Sequence, residues 1–457
     1  MKNKLKFIFL FLFLVSCNSS EITVQNQRNN TSDNPNNDNE VVEEEIGFEA
    51  KLDTSFATNG IGIHGSAGKA KNIAYSSVVD SDGNTYAVGF TTPTGGSVVR
   101  TLAVWKFDSN GAIDTSFGNS GIYEYVGDSS TEDSEGYDIA FDADGKLVVV
   151  GYTESGGKAR ALAMRLSRSG VLDISFGSSG YYIFSHINAG ASEGERARCI
   201  QIDSSGSIYL AGQGYFSNDK SLKIWKLDSS GSLDTGFGTS GVWEHHGLGG
   251  GGGADKIFAC KLHGSRLIIG GQTWGGSSHK VFIGKVDLNG NTDTSFGDAS
   301  GFIVEDDIAG GLNRPDYLDH LEIRADGQIL ASGRSHNGTD YDAYIYTIDF
   351  NGNRSSENTI VFNDLKGNPG NDIILTSYYD SESETLLVGG YTMGDNSVQI
   401  GYVGKINTDD ETLEIITEFE DVGSNTIRHF SSQDQKVFVI GTETNATTQD
   451  IIISRFK

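Results

Sequence analysis

Residues 52–56 read Leu52-Asp53-Thr54-Ser55-Phe56, and the phrase returns at Ile113 to Phe117, Leu172 to Phe176, Leu233 to Phe237 and Thr292 to Phe296. Its aspartates stand at 53, 114, 173, 234 and 293, giving steps of 61, 59, 61 and 59 residues. Self-similarity at a fixed period means a repeat architecture. Two degenerate copies, Asn351 to Ser355 and Asn407 to Glu411, occupy the right places without the Phe, so seven units are expected.

Within a unit the grammar is constant. The second unit runs YDIAFDADG (137–145), KLVVVGYT (146–153), RALAMRLS (160–167) and GYYIFS (180–185). These are four short runs rich in Val, Ile, Tyr and Phe, separated by Gly and Asp turn signals, and they predict four strands, A to D. The 60 Gly and only 4 Pro of the 457 residues suit many short strands joined by tight turns, so the chain is expected to be all-β. Four antiparallel strands per unit and seven units are the arithmetic of a seven-bladed β-propeller over residues 47–457. The last unit supplies only A (Ile427 to Phe430), B (Val437 to Gly441) and C (Ile451 to Phe456), while an orphan strand, Gly60 to His64, precedes the first A strand. That N-terminal strand is expected to complete the last blade and close the ring, which removes two open edges.

The combined phrase, a DG turn, an apolar run ending in Gly, an RL-type strand end and then LDxSFG, resembles the delta-60 repeat family of bacterial β-propellers over residues 52–457. The resemblance implies a propeller in an extracytoplasmic setting and no settled activity. Each motif residue has a structural use. Asp and Ser bond nearby backbone N–H groups, Gly supplies a positive φ, and Phe has the bulk to seal one unit on the next. A cation recurs near the end of each C strand (Lys106, Arg165, Lys226, Lys285, Lys405, Arg455, with Thr347 as the exception) and is expected to pair with the repeat Asp of the neighbouring turn. The D-x-x-G turns at Asp80, Asp142 and Asp203 read as hairpins, being too short for a calcium loop of about twelve residues.

The N-terminus sets the expected compartment. Lys2, Lys4 and Lys6 precede an apolar run from Phe7 to Val15, too short to span roughly 30 Å of hydrocarbon, so residues 1–16 read as a signal peptide. Leu14-Val15-Ser16-Cys17 resembles the bacterial lipobox, which implies acylation with diacylglycerol and palmitate on Cys17 and anchoring in the membrane. Asn18 rather than Asp follows, so by the same resemblance an inner-membrane retention signal is missing and the outer membrane of the cell envelope is expected, periplasmic or surface-exposed. Residues 17–46 are then the lipidated Cys and a polar tether, whose 30-odd flexible residues reach about 30 Å. Cys199 and Cys260 remain. Aligning Gly212-Gln213 with Gly271-Gln272 puts Cys260 two positions on from Cys199, on the same strand face, so free buried thiols are expected.

With 61 acidic against 34 basic residues the formal charge is −27, which argues against nucleic acid as a partner. No HExxH, GxSxG, P-loop or paired CxxC is present, so no catalytic residue, metal site or cofactor is assigned. The D-to-A and B-to-C connections share one face and vary in length up to the sixteen-residue stretch Glu305 to His320. On it lie His64, His186, His245, His246, His279 and His336, with Tyr215, Phe216, Trp274, Tyr317 and Tyr341. A ligand site is expected there, centred on Trp274, Tyr215, Tyr317, Glu305, Asp306 and Asp307. The leading expectation is a non-enzymatic binding scaffold for a carbohydrate, peptide or protein partner in the envelope. The alternatives are a purely structural component and a hydrolase or lyase working through loop-face His and Asp.

Overall fold

The structure is a computed structural model that describes residues 50–457 apart from 97, 128, 185–193, 217–218, 251, 299, 355–358, 366–369, 395–397, 408–411 and 420–422. Residues 47–457 form one compact unit. Cys17, the signal segment, the tether and His186 lie outside the described residues, as does most of the degenerate copy at Asn407 to Glu411.

Every regular element among the described residues is a β-strand. Five sheets have four antiparallel strands each, in the order A-B-C-D along the chain. The remaining sheet has eight strands and falls into two four-stranded antiparallel sets, joined at their boundary by the single parallel pair Lys71 and Gln449. One set is Lys69–Val79, Thr85–Pro93, Thr101–Phe107 and Ile122–Tyr125. The other is Ser424–Gln433, Lys436–Thr444 and Gln449–Phe456, with Ile61–His64 as its fourth strand, Ile61 opposite Ser454 and His64 opposite Ile451. The first strand of each set packs on the first strand of the next, and Ser424–Gln433 packs on Lys69–Val79. The hydrophobic clusters lie between sets rather than within them. One joins Cys199 and Tyr209 to Ile257 and Ile269; another joins Phe56, Ala74 and Ala87 to Phe438, Ile440 and Ile451.

The LDxSFG phrase builds the outer seam. Asp53 accepts from the Ser55 N–H at 3.1 Å and the Ser55 hydroxyl at 2.6 Å, and Asp114, Asp173 and Asp293 repeat the pattern. Phe56, Phe117, Phe176, Phe237 and Phe296 are fully buried against the glycine turn of the following set; Gly111 sits so close to the Phe56 ring that a Cβ there would overlap it. Three of the cations pair with the repeat Asp of the neighbouring turn, as expected. Lys106 holds Asp114 at 2.7 Å, Arg165 holds Asp173 at 2.9 Å and Lys226 holds Asp234 at 3.0 Å, each on the turn that follows its own strand. The link to the next set runs through a backbone carbonyl: Arg165 Nη1 donates to Ser229 O, Lys285 Nζ to Phe350 O and Arg455 Nη1 to Ser109 O, all at 2.8 Å. Arg455 and Lys457 take Asp53 as their carboxylate, at 2.7 and 3.0 Å, which ties the last strand to the start of the domain. The D-x-x-G turns are hairpins, with Gly83 at φ +80 donating to Asp80 O at 2.9 Å.

The apolar run of each B strand ends in a glycine for a reason the repeat alone does not disclose. Gly89, Gly151, Gly212, Gly271, Gly333, Gly390 and Gly441 lie opposite the A strand immediately before a β-bulge. There a backbone carbonyl of the A strand (Ile73 O, Glu135 O, Arg196 O and their equivalents) fills the space of the missing Cβ. The bulge leaves one A-strand residue unpaired: Tyr75, Tyr137, Arg198, Phe258, Asp319, Leu375 and Arg428.

Cys199 and Cys260 form a disulfide, contrary to the expectation of free thiols. The fourth A–B hairpin is one residue shorter than the third, since Lys256 pairs with Gln272 where Arg196 pairs with Gln213. Cys260 is therefore one position on from the equivalent of Cys199, and strand alternation turns it to the opposite face, toward Cys199. First strands also converge far inside the usual ~10 Å between packed sheets, and the two Cα atoms are 6.0 Å apart.

Gly151→Ala is expected to cost about 2–4 kcal/mol of unfolding free energy, because the new methyl must displace backbone rather than a flexible side chain. A denaturation midpoint unchanged within error would refute the glycine argument. Replacing both Cys199 and Cys260 by Ser should cost about 2–4 kcal/mol by opening a long loop in the unfolded chain. Peptide mapping without reductant should recover the linked pair, and alkylation of both thiols under those conditions would contradict it.

Candidate functional site

The first strands of the sets surround a cavity of about 330 Å³, continuous in its lining with a mouth of about 400 Å³. The bulge residues Tyr75, Tyr137, Arg198, Phe258, Asp319, Leu375 and Arg428 all line the mouth, joined by Arg100 and Glu135. A side recess of about 510 Å³ extends past Asp319 and Arg428 to Tyr317, Arg334, Tyr341 and Tyr391. The bulge is what puts these side chains there. An unpaired residue is free of the strand's alternation, so each set aims one variable side chain at the same level of the cavity.

Below the mouth the lining is polar and committed to strand contacts. Ser76 Oγ donates to Asp138 Oδ1 at 2.6 Å, and Asp138 Oδ2 accepts the Ile200 N–H at 2.9 Å. Gln201 Oε1 accepts the Leu262 N–H at 3.2 Å, and Lys261 pairs with Glu322 at 3.0 Å. His320 Nδ1 accepts the Ser377 N–H at 3.3 Å, and His429 Nδ1 accepts the Ser77 N–H at 3.2 Å. Each bond ties one first strand to the next. Burial, reinforced by the Lys261 charge, holds both imidazoles well below the ordinary histidine range, His429 at about 3, so both are neutral and used as acceptors. Burial pushes the Asp138 carboxyl up against the three hydrogen bonds that favour its charge. Ser76 Oγ donates a hydrogen bond to Asp138 and His429 Nε2 lies 3.5 Å from the same oxygen, so the trio clasps three first strands together.

The mouth mixes cations with aromatic rings. Glu135 accepts from Tyr75 at 3.1 Å and Tyr152 at 2.8 Å and pairs with Arg100. Arg334 pairs with Asp319 at 2.7 Å and lies over the Tyr317 ring at 4.4 Å. Arg198 is stacked between Tyr137 at 4.7 Å and Phe258 at 5.1 Å, and Arg428 lies over Tyr75 at 5.6 Å.

The residues expected from sequence to form the site are only partly brought together. Trp274 meets His279 at 5.0 Å, His279 meets Tyr317 at 5.9 Å and Tyr317 meets Tyr341 at 5.9 Å, an aromatic row that leads into the side recess. Tyr215 is buried and stands in another set. The acidic stretch is locally engaged. Glu305 takes Arg354 at 2.7 Å and Tyr346 at 2.9 Å, Asp306 pairs with Lys280 at 2.9 Å, and Asp307, at φ 56, accepts from Asn313 at 3.0 Å. His64 bonds Gly111 O at 2.8 Å, His336 accepts from the Gly338 N–H at 3.0 Å, and His245 lies on Phe302. None of the three borders the cavity, mouth or recess described here.

Three stretches of the chain, 81–117, 143–176 and 204–237, match the family described as "Domain of unknown function (DUF5122) beta-propeller", and each ends on the Phe of an LDxSFG-type turn. The fold is a β-propeller. Among solved structures, the polysaccharide lyase Uly1 is similar at 11% identity and TM-score 0.49, over 86% of this chain and 91% of that one. Drosophila Plexin A, in complex with Semaphorin 1b, is similar at 8% and 0.42, over 89% and 88%. A Dyadobacter fermentans protein of unknown function is similar at 11% and 0.40, over 87% and 98%. No curated protein matches the chain in sequence.

Two groups of carboxylates make opposite contributions to the pH dependence of stability. Hydrogen bonds from Lys106 and Ser116 hold Asp114 at about 2, and those from Ser295 and Arg266 hold Asp293 at about 2. Against an unfolded value near 3.9, their contribution is complete above about pH 4 and is lost as pH falls through 2. Burial raises Asp316, beside the Asp306 and Asp307 charges, and Asp372, beside Asp342 and Asp364, to about 6. Their contribution is complete below about pH 4 and is lost as pH rises through 6. In thermal melts from pH 2 to 8, Asp316→Asn should gain stability relative to the unsubstituted protein as pH rises from about 4 to 6 and keep that difference above pH 6. A difference in melting temperature between Asp316→Asn and the unsubstituted protein that does not change between about pH 4 and 6 would contradict the assignment.

Proposed function

We propose that this chain is a seven-bladed envelope lipoprotein, anchored through Cys17 and its tether, whose loop-face mouth binds a carbohydrate, peptide or protein partner without catalysis. The pairing of Ile61–His64 with Gln449–Phe456, together with Asp53 on Arg455 and Lys457, supports a ring closed by the N-terminal strand as the last blade's fourth. The Cys199–Cys260 disulfide fits an oxidising compartment outside the cytoplasm. The observation that carries the binding role is the mouth itself. A ring of bulge residues mixes aromatic and guanidinium groups there, the composition that recurs where a few side chains carry most of the affinity. Non-enzymatic use is favoured because the buried His, Ser and Asp groups below the mouth are occupied in holding strands together. The row from Trp274 to Tyr317 offers an approach surface on the same face.

The test combines location and binding. Cys17→Ala should move the protein from the membrane pellet to the soluble fraction. The full chain, presented to glycan arrays and envelope extracts, should capture a ligand whose affinity falls at least ~10-fold in Tyr137→Ala with Phe258→Ala, at unchanged melting temperature. Undiminished capture by that double variant, with loss instead on substituting the turn-face residues Lys146 and Arg168, would contradict the proposal, as would membrane retention of Cys17→Ala.

A further inference from the structure

Two guanidinium groups at the mouth are held in place and left incomplete. Arg198 uses its Nε–H on Gln213 Oε1 at 3.4 Å, and Arg428 uses its Nε–H on Thr442 Oγ1 at 3.1 Å. A guanidinium carries five N–H donors. The remaining four on each, all on the Nη atoms, have no acceptor among the described residues. The other cations around the cavity are neutralised: Arg100 by Glu135, Arg334 by Asp319 and Lys261 by Glu322. In a chain with 61 acidic and 34 basic residues, a carboxylate for Arg198 and Arg428 is not scarce; it is withheld at these two bulges. The rings of Tyr137 and Phe258 beside Arg198 and of Tyr75 beside Arg428 take no N–H donor, so the Nη groups stay available to a planar, bidentate acceptor.

Resting on the proposed binding role, we infer that the mouth takes an acidic saccharide, with a sugar carboxylate on the Nη donors of Arg198 and Arg428. The mouth and cavity, about 400 and 330 Å³, stand at the small end of ligand sites and admit a single ring or a chain end. Glu135 and Asp319 also line the mouth and keep lone pairs for hydroxyl donors, which a sugar supplies on every ring and a polyacidic peptide does not. The net charge of −27 does not prevent this, because charges beyond about 8 Å are screened at physiological ionic strength while the two guanidinium groups act in contact.

Calorimetric titration of the full-length protein with trigalacturonate, its methyl ester and triglutamate tests the inference. Trigalacturonate should bind, the ester at least ~10-fold more weakly, and Arg198→Gln or Arg428→Gln should each lower trigalacturonate affinity about 10-fold. Arg168→Gln, on the turn face, should change nothing. If a Gln variant fails to fold, Arg→Lys at the same position keeps the charge and stem and should still weaken binding through loss of the bidentate fork. Equal binding of acid and ester overturns the inference, as does binding of none of the three, and so does triglutamate binding that depends on the two arginines while trigalacturonate is ignored. Ester binding that survives loss of both arginines but vanishes in Tyr137→Ala with Phe258→Ala overturns it too, yet leaves the mouth as a binding site.

Discussion

The close approach of an A-strand carbonyl to a B-strand glycine is the constraint on which the rest of this protein depends. A backbone oxygen stands where any side chain at Gly89, Gly151 or Gly212 would begin. With the glycine in place the A strand can bulge, and the bulge releases one residue from the two-faced alternation of the strand. That residue meets its equivalents from the other sets around the cavity. Because it takes no part in the ladder or in the clusters between sets, it is free to vary, and it does so as Tyr, Arg, Phe, Asp and Leu. A backbone requirement thus makes a place for chemistry without prescribing which chemistry.

Two seams hold the sets in register around that place. The outer seam is nearly identical in each copy of LDxSFG: a buried Phe, a serine-bonded Asp and a cation that reaches the neighbour's carbonyl. The inner seam solves the same problem differently each time, with Ser76 on Asp138, the Cys199–Cys260 disulfide, His320 on Ser377 and His429 on Ser77. Several of these groups resemble catalytic parts when taken singly. Ser76 is bound to Asp138, the two imidazoles meet the backbone N–H and hydroxyl of Ser377 and of Ser77 on the adjacent strands, and the depressed basicity of His429 follows from burial at that contact.

This division explains what could be read from sequence. The outer seam is periodic, so strand order, turn type and the role of Phe56 and its equivalents were legible from spacing alone. The bulge was not, because its signature is an unremarkable glycine in an apolar run, and the residue it frees differs from set to set. Nothing in the repeat marks Arg198 or Arg428, whereas Trp274, Tyr317 and the Glu305 to Asp307 stretch stand in or beside connections that vary between units. The disulfide was misjudged for a related reason: an alignment on the B strand overlooks a hairpin one residue shorter, and one residue reverses the direction of a side chain. The acidic stretch drew notice by composition, yet its carboxylates are taken by Arg354, Lys280 and Asn313.

Cysteine accessibility tests the bulge ring most directly. Single Cys substitutions at Tyr75, Tyr137, Phe258 and Leu375, and at the flanking paired residues Ala74, Ala197 and Ile257, would be exposed to a small charged thiol reagent in the native, oxidised protein. The bulge positions should label readily and the flanking positions, which are buried in the contacts between sets, should label only on unfolding. Equal labelling of the two groups, or labelling of the flanking positions alone, would mean that the bulges do not deliver these side chains to the cavity.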